Sequence, residues 1–280
     1  MSVKAELEQH GLRARRSLGQ NFLADRGLCE KIAALVAPVP GGVLEIGAGL
    51  GALTAPLLAR GSHVLAVETD RSLTAVLRDK FASELAAGQL ELLEADAREL
   101  DLAAVLARLP SPRTLAGNLP YHLSGLLLRR AVDLVVGCER AVFLLQLEVV
   151  DRMCAEPGAA DYGALSIFVQ SVYRPRRELV VRRGAFYPQP GVDSAIVALE
   201  PREPRCAAPS ETFSRVVKAA FEKRRKTLRN AWRTLGLSPP ELERLAGEAQ
   251  IDLDARGETL SVGAFERMAA ALEAQRGTSR

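Results

Sequence analysis

The sequence predicts an α/β fold, with a Rossmann-like, mostly parallel sheet followed by a small all-helical C-terminal domain. Short apolar runs alternate with helix-like segments from residue 43 to about residue 147, which is typical of βαβ units. Three glycines, Gly47, Gly49 and Gly51, follow the first run and precede a helical pattern, as in a nucleotide-binding turn. A length of 280 residues suits one large domain with an appendage.

The parallel strands are predicted from apolar runs rich in Leu and β-branched residues, which suit strands buried on both faces. In chain order they are VLEIG (43–47), HVLAVET (63–69), LELLEAD (90–96), TLAGNL (114–119) and AVFLLQL (141–147). Helical spacing predicts the intervening helices LTAPLLAR (53–60), RSLTAVLRDKFASELAA (71–87) and SGLLLRRAVDLVVG (124–137). Asp70 is placed to cap the second of these helices.

After residue 160 the pattern predicts antiparallel strands that finish the sheet, in LSIFVQSVYRPRRELVV (165–181) and VDSAIVALEP (192–201). A linker rich in Pro and charge follows, Glu200 to Ser210. Helical periodicity then returns at 211–236, 240–250 and 261–275. We therefore predict a larger α/β domain at 1–203 and a small helical domain at 204–280.

Composition indicates a globular protein, because 48% of the residues are hydrophobic, 25% are charged and the net charge is only +3. The weakly charged segment 33–59 contains eight Gly or Pro residues, so it is not predicted to span a membrane. The N-terminus lacks an apolar signal region, and a cytoplasmic protein is expected. The four cysteines and three histidines show no ligand spacing, so no metal site is predicted. A monomer is expected, since no helix carries an apolar seam.

The glycine-rich turn fits more than one nucleotide. Gly47, Gly49 and Ala52 satisfy the relaxed dinucleotide fingerprint, and Glu68 follows at the distance of a ribose-binding acid, so an NAD-dependent oxidoreductase is one interpretation. Glu45, in contrast, would sit poorly beside a pyrophosphate but could organise the loop or meet a cationic aminoacyl group. Asp96 ends the third run, where it could accept a hydrogen bond from an adenine amine. These features favour S-adenosylmethionine.

The segment GNLPYH (117–122) suggests which group is methylated. An adenine N6 amine is a poor nucleophile because its lone pair is delocalised into the ring. The side-chain oxygen of Asn118 and the backbone carbonyl of Leu119 could accept from its two N–H bonds and restore the lone pair. Pro120 would hold Leu119 extended, and Tyr121 could stack on the base. A simple strand-ending turn is the alternative interpretation of this segment.

Several segments occur together, in one order, along nearly the whole chain: LGQNFL, LEIGAGLGALT, GNLPYHLSGLL, AFYPQPGVDSAIV and AFEKRRKTLRNA. With these segments the chain resembles the RsmA/KsgA family of small-subunit ribosomal RNA adenine dimethyltransferases. The resemblance implies S-adenosylmethionine as co-substrate and dimethylation of two adjacent adenosines near the 3′ end of 16S-type rRNA, on the immature small subunit. It implies that Asn21 and Leu23 close over a cofactor bound by Gly47, Gly49, Glu68, Asp96 and Asn118. Tyr121 and Phe186 would sandwich the target base.

Basic segments predict contacts to RNA phosphates. The strongest one, within 221–233, is expected to lie on one helix and contains Lys223, Arg224, Arg225, Lys226, Arg229 and Arg233. Other basic segments contain Arg174, Arg176, Arg177, Arg182 and Arg183, or Arg13, Arg15 and Arg16. The chain departs from the resembling family at Leu147 and Gly191, where Lys is usual.

Two alternative functions stay open. The protein could be a ribosome-assembly factor without essential catalysis, or a large-subunit methyltransferase of the resistance type.

Overall fold

The computed structural model describes residues 2–15, 18–120, 124–203, 209–222 and 225–278. A seven-stranded sheet runs through the larger domain, in the spatial order β4-β3-β2-β5-β6-β9-β7. A separate pair is formed by β1 and β8. The strands are β1 Phe22–Leu23, β2 Gly42–Ile46, β3 His63–Glu68, β4 Leu90–Glu94, β5 Arg113–Asn118, β6 Arg140–Gln146, β7 Tyr173–Val181, β8 Phe186–Tyr187 and β9 Ser194–Pro201.

Helices cover both faces of this sheet and build the C-terminal region. They are α1 Val3–Gln9, α2 Arg26–Val36, α3 Thr54–Ala59, α4 Arg71–Lys80, α5 Ala82–Ala86, α6 Leu102–Ala107, α7 Ser124–Asp133, α8 Leu147–Cys154, α9 Ala164–Gln170, α10 Glu211–Phe221, α11 Leu228–Ala231, α12 Pro239–Glu248 and α13 Val262–Thr278. Asp70 caps α4 as predicted, because its side chain accepts from the backbone N–H of Ser72 at 3.0 Å.

The five predicted parallel strands are confirmed. β2 pairs with β3 and β5, β3 with β4, and β5 with β6, all in parallel. Their side chains enter two core clusters on opposite faces of the sheet, with Leu44 and Leu65 in one and Val43 and Val64 in the other. Burial on both faces explains why these strands appear in the sequence as continuous apolar runs.

The predicted antiparallel end of the sheet is confirmed in part. β9 lies between β6 and β7 and is antiparallel to both. The first half of the predicted run 165–181 is wrong, however, because Ala164–Gln170 forms the helix α9. Its first turn is closed by Ser166, whose hydroxyl accepts from Gly163 N–H at 3.0 Å, and the helix packs against α7, α8, α10 and β7. Tertiary packing therefore decides the conformation of a run whose residues are equally suited to a strand.

The C-terminal helices surround a core of their own, centred on the fully buried Trp232 and Phe265. Tyr162 and Ile167 of the larger domain belong to the same cluster, so the two parts share apolar packing. The single long helix expected at 211–236 is wrong, because α10 ends at Phe221 and α11 begins at Leu228. The division at residue 203 stays a prediction, since residues 204–208 lie outside the described part.

Helices long and apolar enough to cross a membrane are absent from the described part of the chain.

Candidate active site

One cavity of about 350 Å³ lies at the carboxyl ends of the parallel strands. Neighbouring parallel strands are about 4.8 Å apart, so residues following β4, β3, β2 and β5 meet at one edge of the sheet. All the residues predicted to bind the cofactor line this cavity, namely Asn21, Leu23, Gly47, Gly49, Glu68, Asp96 and Asn118. Its volume falls in the range of small-molecule sites. The structure therefore brings these separate sequence signals together in one site.

Glu68 organises the glycine-rich turn from the end of β3. Its Oε2 accepts from the N–H of Gly49 and its Oε1 accepts from the N–H of Asp70, both at 2.9 Å. Gly49 has a φ of +60°, a conformation that favours glycine. Burial raises the pKa of Glu68, while the two backbone N–H groups oppose the shift. Each carboxylate oxygen retains acceptor capacity for a ribose hydroxyl, because a carboxylate has about four lone-pair sites.

Glu45 lies within β2 and is 2% exposed. The hydroxyl of Thr54 donates to its Oε2 at 2.7 Å, and the side chain lines the cavity. Desolvation by burial raises the pKa of Glu45 to about 8. The hydrogen bond from Thr54 opposes this shift, and the nearby charge of Glu68 adds to it. A cationic group entering the cavity would favour the ionised form of Glu45. This agrees with a ligand that carries positive charge.

Asp96 stands two residues beyond β4, next to the apolar residues Ala95 and Ala97 of the cavity wall. Its carboxylate is held by Arg98, whose Nη2 donates to Oδ2 at 2.6 Å. These hydrogen bonds, together with the positive charge, lower the pKa of Asp96. An ionised carboxylate beside apolar walls suits an adenine ring whose amine donates a hydrogen bond. Asp96 and Glu68, which follow adjacent strands, could thus hold the two ends of an adenosine.

Asn118 ends β5, and its side chain has a fixed orientation. Nδ2 donates to the backbone carbonyl of Asn21 at 2.8 Å, so the amide oxygen Oδ1 is the atom left for a ligand. The backbone of Leu119 is anchored to β6, since its N–H donates to Leu144 O at 3.3 Å. Asn118, Leu119 and Pro120 all line the cavity. The arrangement thus supplies one oriented side-chain oxygen and one backbone carbonyl on a rigid segment.

The chain matches the family described as "Ribosomal RNA adenine dimethylase" over residues 11–273. The chain belongs to this ribosomal RNA adenine dimethylase family. Two similar proteins carry the name "Ribosomal RNA small subunit methyltransferase A". The one from Anaeromyxobacter dehalogenans (strain 2CP-C) is 44% identical over 97% of this chain and 98% of its own. The one from Geobacter metallireducens is 42% identical over 94% of this chain and 97% of its own.

Solved structures of similar fold agree with the α/β architecture. A dimethyladenosine transferase from Plasmodium falciparum superposes with a TM-score of 0.73 at 23% identity, covering 91% of this chain and 98% of its own. The 23S rRNA methyltransferase ErmE superposes with a TM-score of 0.64 at 23% identity, covering 90% of this chain and all of its own. At this identity the likeness concerns the fold alone.

The N-terminal residues of this dimethylase form a wall of the cavity that sequence reasoning predicted only in part. Lys80 Nζ donates to Leu50 O of the glycine-rich turn and to Glu6 Oε1 of α1, both at 2.8 Å. Gln20 donates to Asp70 Oδ2 at 3.0 Å, which fastens the segment before β1 to the cap of α4. Because these contacts depend on long side chains meeting across the fold, no sequence pattern could have indicated them.

Of the two aromatic residues predicted to sandwich the target base, only Phe186 belongs to the described part of the chain. Tyr121 lies outside the described residues. Phe186 is 5% exposed, pairs with Leu23 in the β1–β8 sheet and belongs to the same buried core cluster as Ile196. Phe22, the neighbour of Leu23 in the chain, is an aromatic residue that does line the cavity. Base stacking by Phe186 and Tyr121 therefore stays a prediction.

The described members of the predicted RNA-binding set do not share one helix. Arg225 and Lys226 are exposed between α10 and α11, whereas Lys223 and Arg224 lie outside the described part. Arg229 is at the start of α11 and forms ion pairs with Glu243 at 2.9 Å and Asp254 at 3.2 Å. Several arginines of the other basic segments are also paired, since Arg177 contacts Asp151 and Arg182 contacts Asp193. Their roles in RNA binding stay predictions.

Within the described ranges, His, Cys, Asp and Glu side chains form no group of three or more that could hold a metal ion.

Proposed function

We propose that the protein transfers methyl groups from S-adenosylmethionine to N6 of two adjacent adenosines near the 3′ end of small-subunit rRNA, giving N6,N6-dimethyladenosine. Family membership supports the reaction, and the names of relatives that are 44% and 42% identical support the small subunit as the target. The observation that carries the proposal is the hydrogen bond from Asn118 Nδ2 to Asn21 O, which leaves Oδ1 as an acceptor in a cavity that Leu119 also lines.

The residues of the cavity divide the work of holding the co-substrate. Asp96 would accept from the adenine amine and Glu68 from the ribose, while the glycine-rich turn allows close approach of the methionine end. Glu45 would face the cationic portion from within β2. When bound, S-adenosylmethionine supplies an electrophilic methyl group on a positively charged sulfur.

Asn118 and Leu119 would prepare the nucleophile. Their two oxygens accept from the two N–H bonds of the target amine and draw the nitrogen toward tetrahedral geometry, which localises its lone pair. The lone pair would form the new N–C bond while the S–C bond breaks, and the sulfur would keep the electron pair of the broken bond. The methylated amine then loses a proton to water, so the site needs no strong base. Alignment of nitrogen, methyl and sulfur provides the remaining rate enhancement.

The base must leave its helix to reach this cavity, so we infer that the target adenosines are unpaired or flipped out. Exposed cations between α10 and α11, Arg225 and Lys226, would position the RNA through its phosphates without reading its sequence. We further infer that the protein acts as a monomer on immature small subunits in the cytoplasm.

Mass spectrometry of rRNA tests the proposal. Small ribosomal subunits lacking the modification are incubated with the protein and S-adenosylmethionine, and the RNA is digested and analysed. We expect four methyl groups on two adjacent adenosines near the 3′ end. Large subunits treated in parallel serve as the control for the resistance-type activity. Methylation of large-subunit RNA alone, or no methyl transfer despite tight subunit binding, would contradict the proposal in favour of the corresponding alternative.

A further inference from the structure

Arg98 covers the carboxylate that is proposed to hold the adenine. Its Nε donates to Asp96 Oδ1 at 3.0 Å and to Oδ2 at 2.9 Å, and its Nη2 donates to Oδ2 at 2.6 Å. The backbone N–H of Arg98 also donates to Oδ1, at 2.8 Å. Both side chains line the cavity, and they are 51% and 22% exposed for Arg98 and Asp96. The ion pair therefore lies within the cofactor cavity itself.

Arg98 uses most of the acceptor capacity of Asp96 in this arrangement. Three N–H groups of Arg98 face the roughly four lone-pair sites of the carboxylate, and the single Nε hydrogen is shared between the two oxygens. An incoming adenine amine needs one of these sites. The backbone N–H of Arg98 belongs to the turn that follows β4 and stays in place. The guanidinium, which sits on a flexible and half-exposed side chain, is the donor that can leave.

We propose that Arg98 is a positioning residue that competes with the adenine amine for Asp96, and that it thereby limits the affinity for S-adenosylmethionine and its product. This inference rests on the proposed function, because it assumes that Asp96 binds the adenine. Before the ligand enters, the guanidinium holds the carboxylate ionised and oriented. On binding, the guanidinium gives up at least one oxygen to the amine. S-adenosylmethionine and its product S-adenosylhomocysteine therefore both bind less tightly than they would without the Arg98 guanidinium.

Adenosine is a suitable probe because it has the adenine and ribose but no charge. Isothermal titration calorimetry should give an adenosine affinity for Arg98→Met that is about twofold to fivefold tighter than for the parent, as expected for removal of an exposed competing ion pair. Methionine preserves the apolar stem of the side chain. Arg98→Lys should lie between the two, because an ammonium lacks the planar fork. Arg108→Met, which removes a surface ion pair with Glu91, is the matched control and should leave the adenosine affinity unchanged.

Salt provides a readout that a structural role would not give. Raising the ionic strength weakens exposed ion pairs, so adenosine should bind the parent more tightly in high salt. The affinity of Arg98→Met should not change with salt. In methyl-transfer assays, the inhibition constant of S-adenosylhomocysteine should be about twofold to fivefold lower for Arg98→Met than for the parent.

Two outcomes separate this inference from the site assignment. If Asp96→Asn weakens adenosine binding while Arg98→Met leaves it unchanged or weakens it, the competing role of Arg98 is overturned and the adenine site stands. If Asp96→Asn leaves adenosine binding unchanged, the assignment of Asp96 and the role of Arg98 are both overturned.

Discussion

Replacing Glu45 by Gln should remove a large part of the pH dependence of stability. Burial raises the pKa of Glu45 from an ordinary 4.5 to about 8, and the unfolded chain exposes the same carboxyl to water. Between these two values the folded protein holds a proton that the unfolded chain has released. The free energy of unfolding therefore falls as the pH rises from about 4.5 to about 8.

The size of this effect follows from the difference between the pKa values of Glu45 in the unfolded and folded states. At about 1.4 kcal/mol per pH unit, the rise from 4.5 to about 8 corresponds to roughly 5 kcal/mol lost once Glu45 is ionised in the folded state. Gln carries no charge and keeps an oxygen that can accept from the Thr54 hydroxyl. Glu45→Gln should thus match the parent near pH 5 and exceed it by several kcal/mol above pH 8.

Urea unfolding followed by circular dichroism, repeated from pH 5 to pH 8.5, measures the difference. Glu91→Gln is the matched control, since its carboxylate lies in the same sheet but is 43% exposed, and its curve should follow the parent. The slopes of unfolding free energy against urea concentration must agree for the comparison to hold. Parallel pH curves for the parent and Glu45→Gln would refute the reasoning.

Two further changes test the glycine-rich turn and the contacts that hold it. Gly51→Ala should cost roughly 2–4 kcal/mol of stability, because φ is +77° and the new Cβ would lie 2.4 Å from the ring of Phe81. Gly61→Ala is the control and should cost only about 1 kcal/mol, because φ is +79° but the atom nearest to the new Cβ is 3.8 Å away. Equal losses of stability in urea unfolding would contradict this prediction. Lys80→Met should weaken S-adenosylmethionine binding about twofold to fivefold, since it removes the bonds to α1 and the glycine-rich turn. Glu6→Gln should weaken it less, and a larger effect of Glu6→Gln in calorimetry would argue against this account.

Much of the fold could be predicted because buried parallel strands leave continuous apolar runs in the sequence. The helix α9 could not, since a short apolar run with Ile and Val fits either state until its neighbours are known. The strands β1 and β8 are only two residues long, and their pairing of Leu23 with Phe186 joins distant segments. A run of cations likewise gave no sign that the chain breaks its helix after Phe221.

The candidate site, like the fold, could be predicted from the sequence only in part. Glu68, Asp96 and Asn118 could be predicted because the ends of adjacent parallel strands converge on one edge of the sheet. The bond from Asn118 to the Asn21 carbonyl and the cover of Arg98 over Asp96 depend on side-chain directions, which spacing in the sequence does not encode. The residues that line the cavity were thus foreseeable, and the contacts that orient them were not.

The central claim is that Asn118 Oδ1 acts on the target amine, and single-turnover methyl transfer by Asn118→Ala tests it most directly. With saturating S-adenosylmethionine and unmethylated small subunits, the rate should fall about 100-fold to 1,000-fold, as for loss of one oriented catalytic hydrogen-bonding group. The affinity for subunits should stay at the parental value, and Asn230→Ala, an exposed amide bonded to Thr227, should react normally. A near-parental rate of dimethylation by Asn118→Ala would contradict the account.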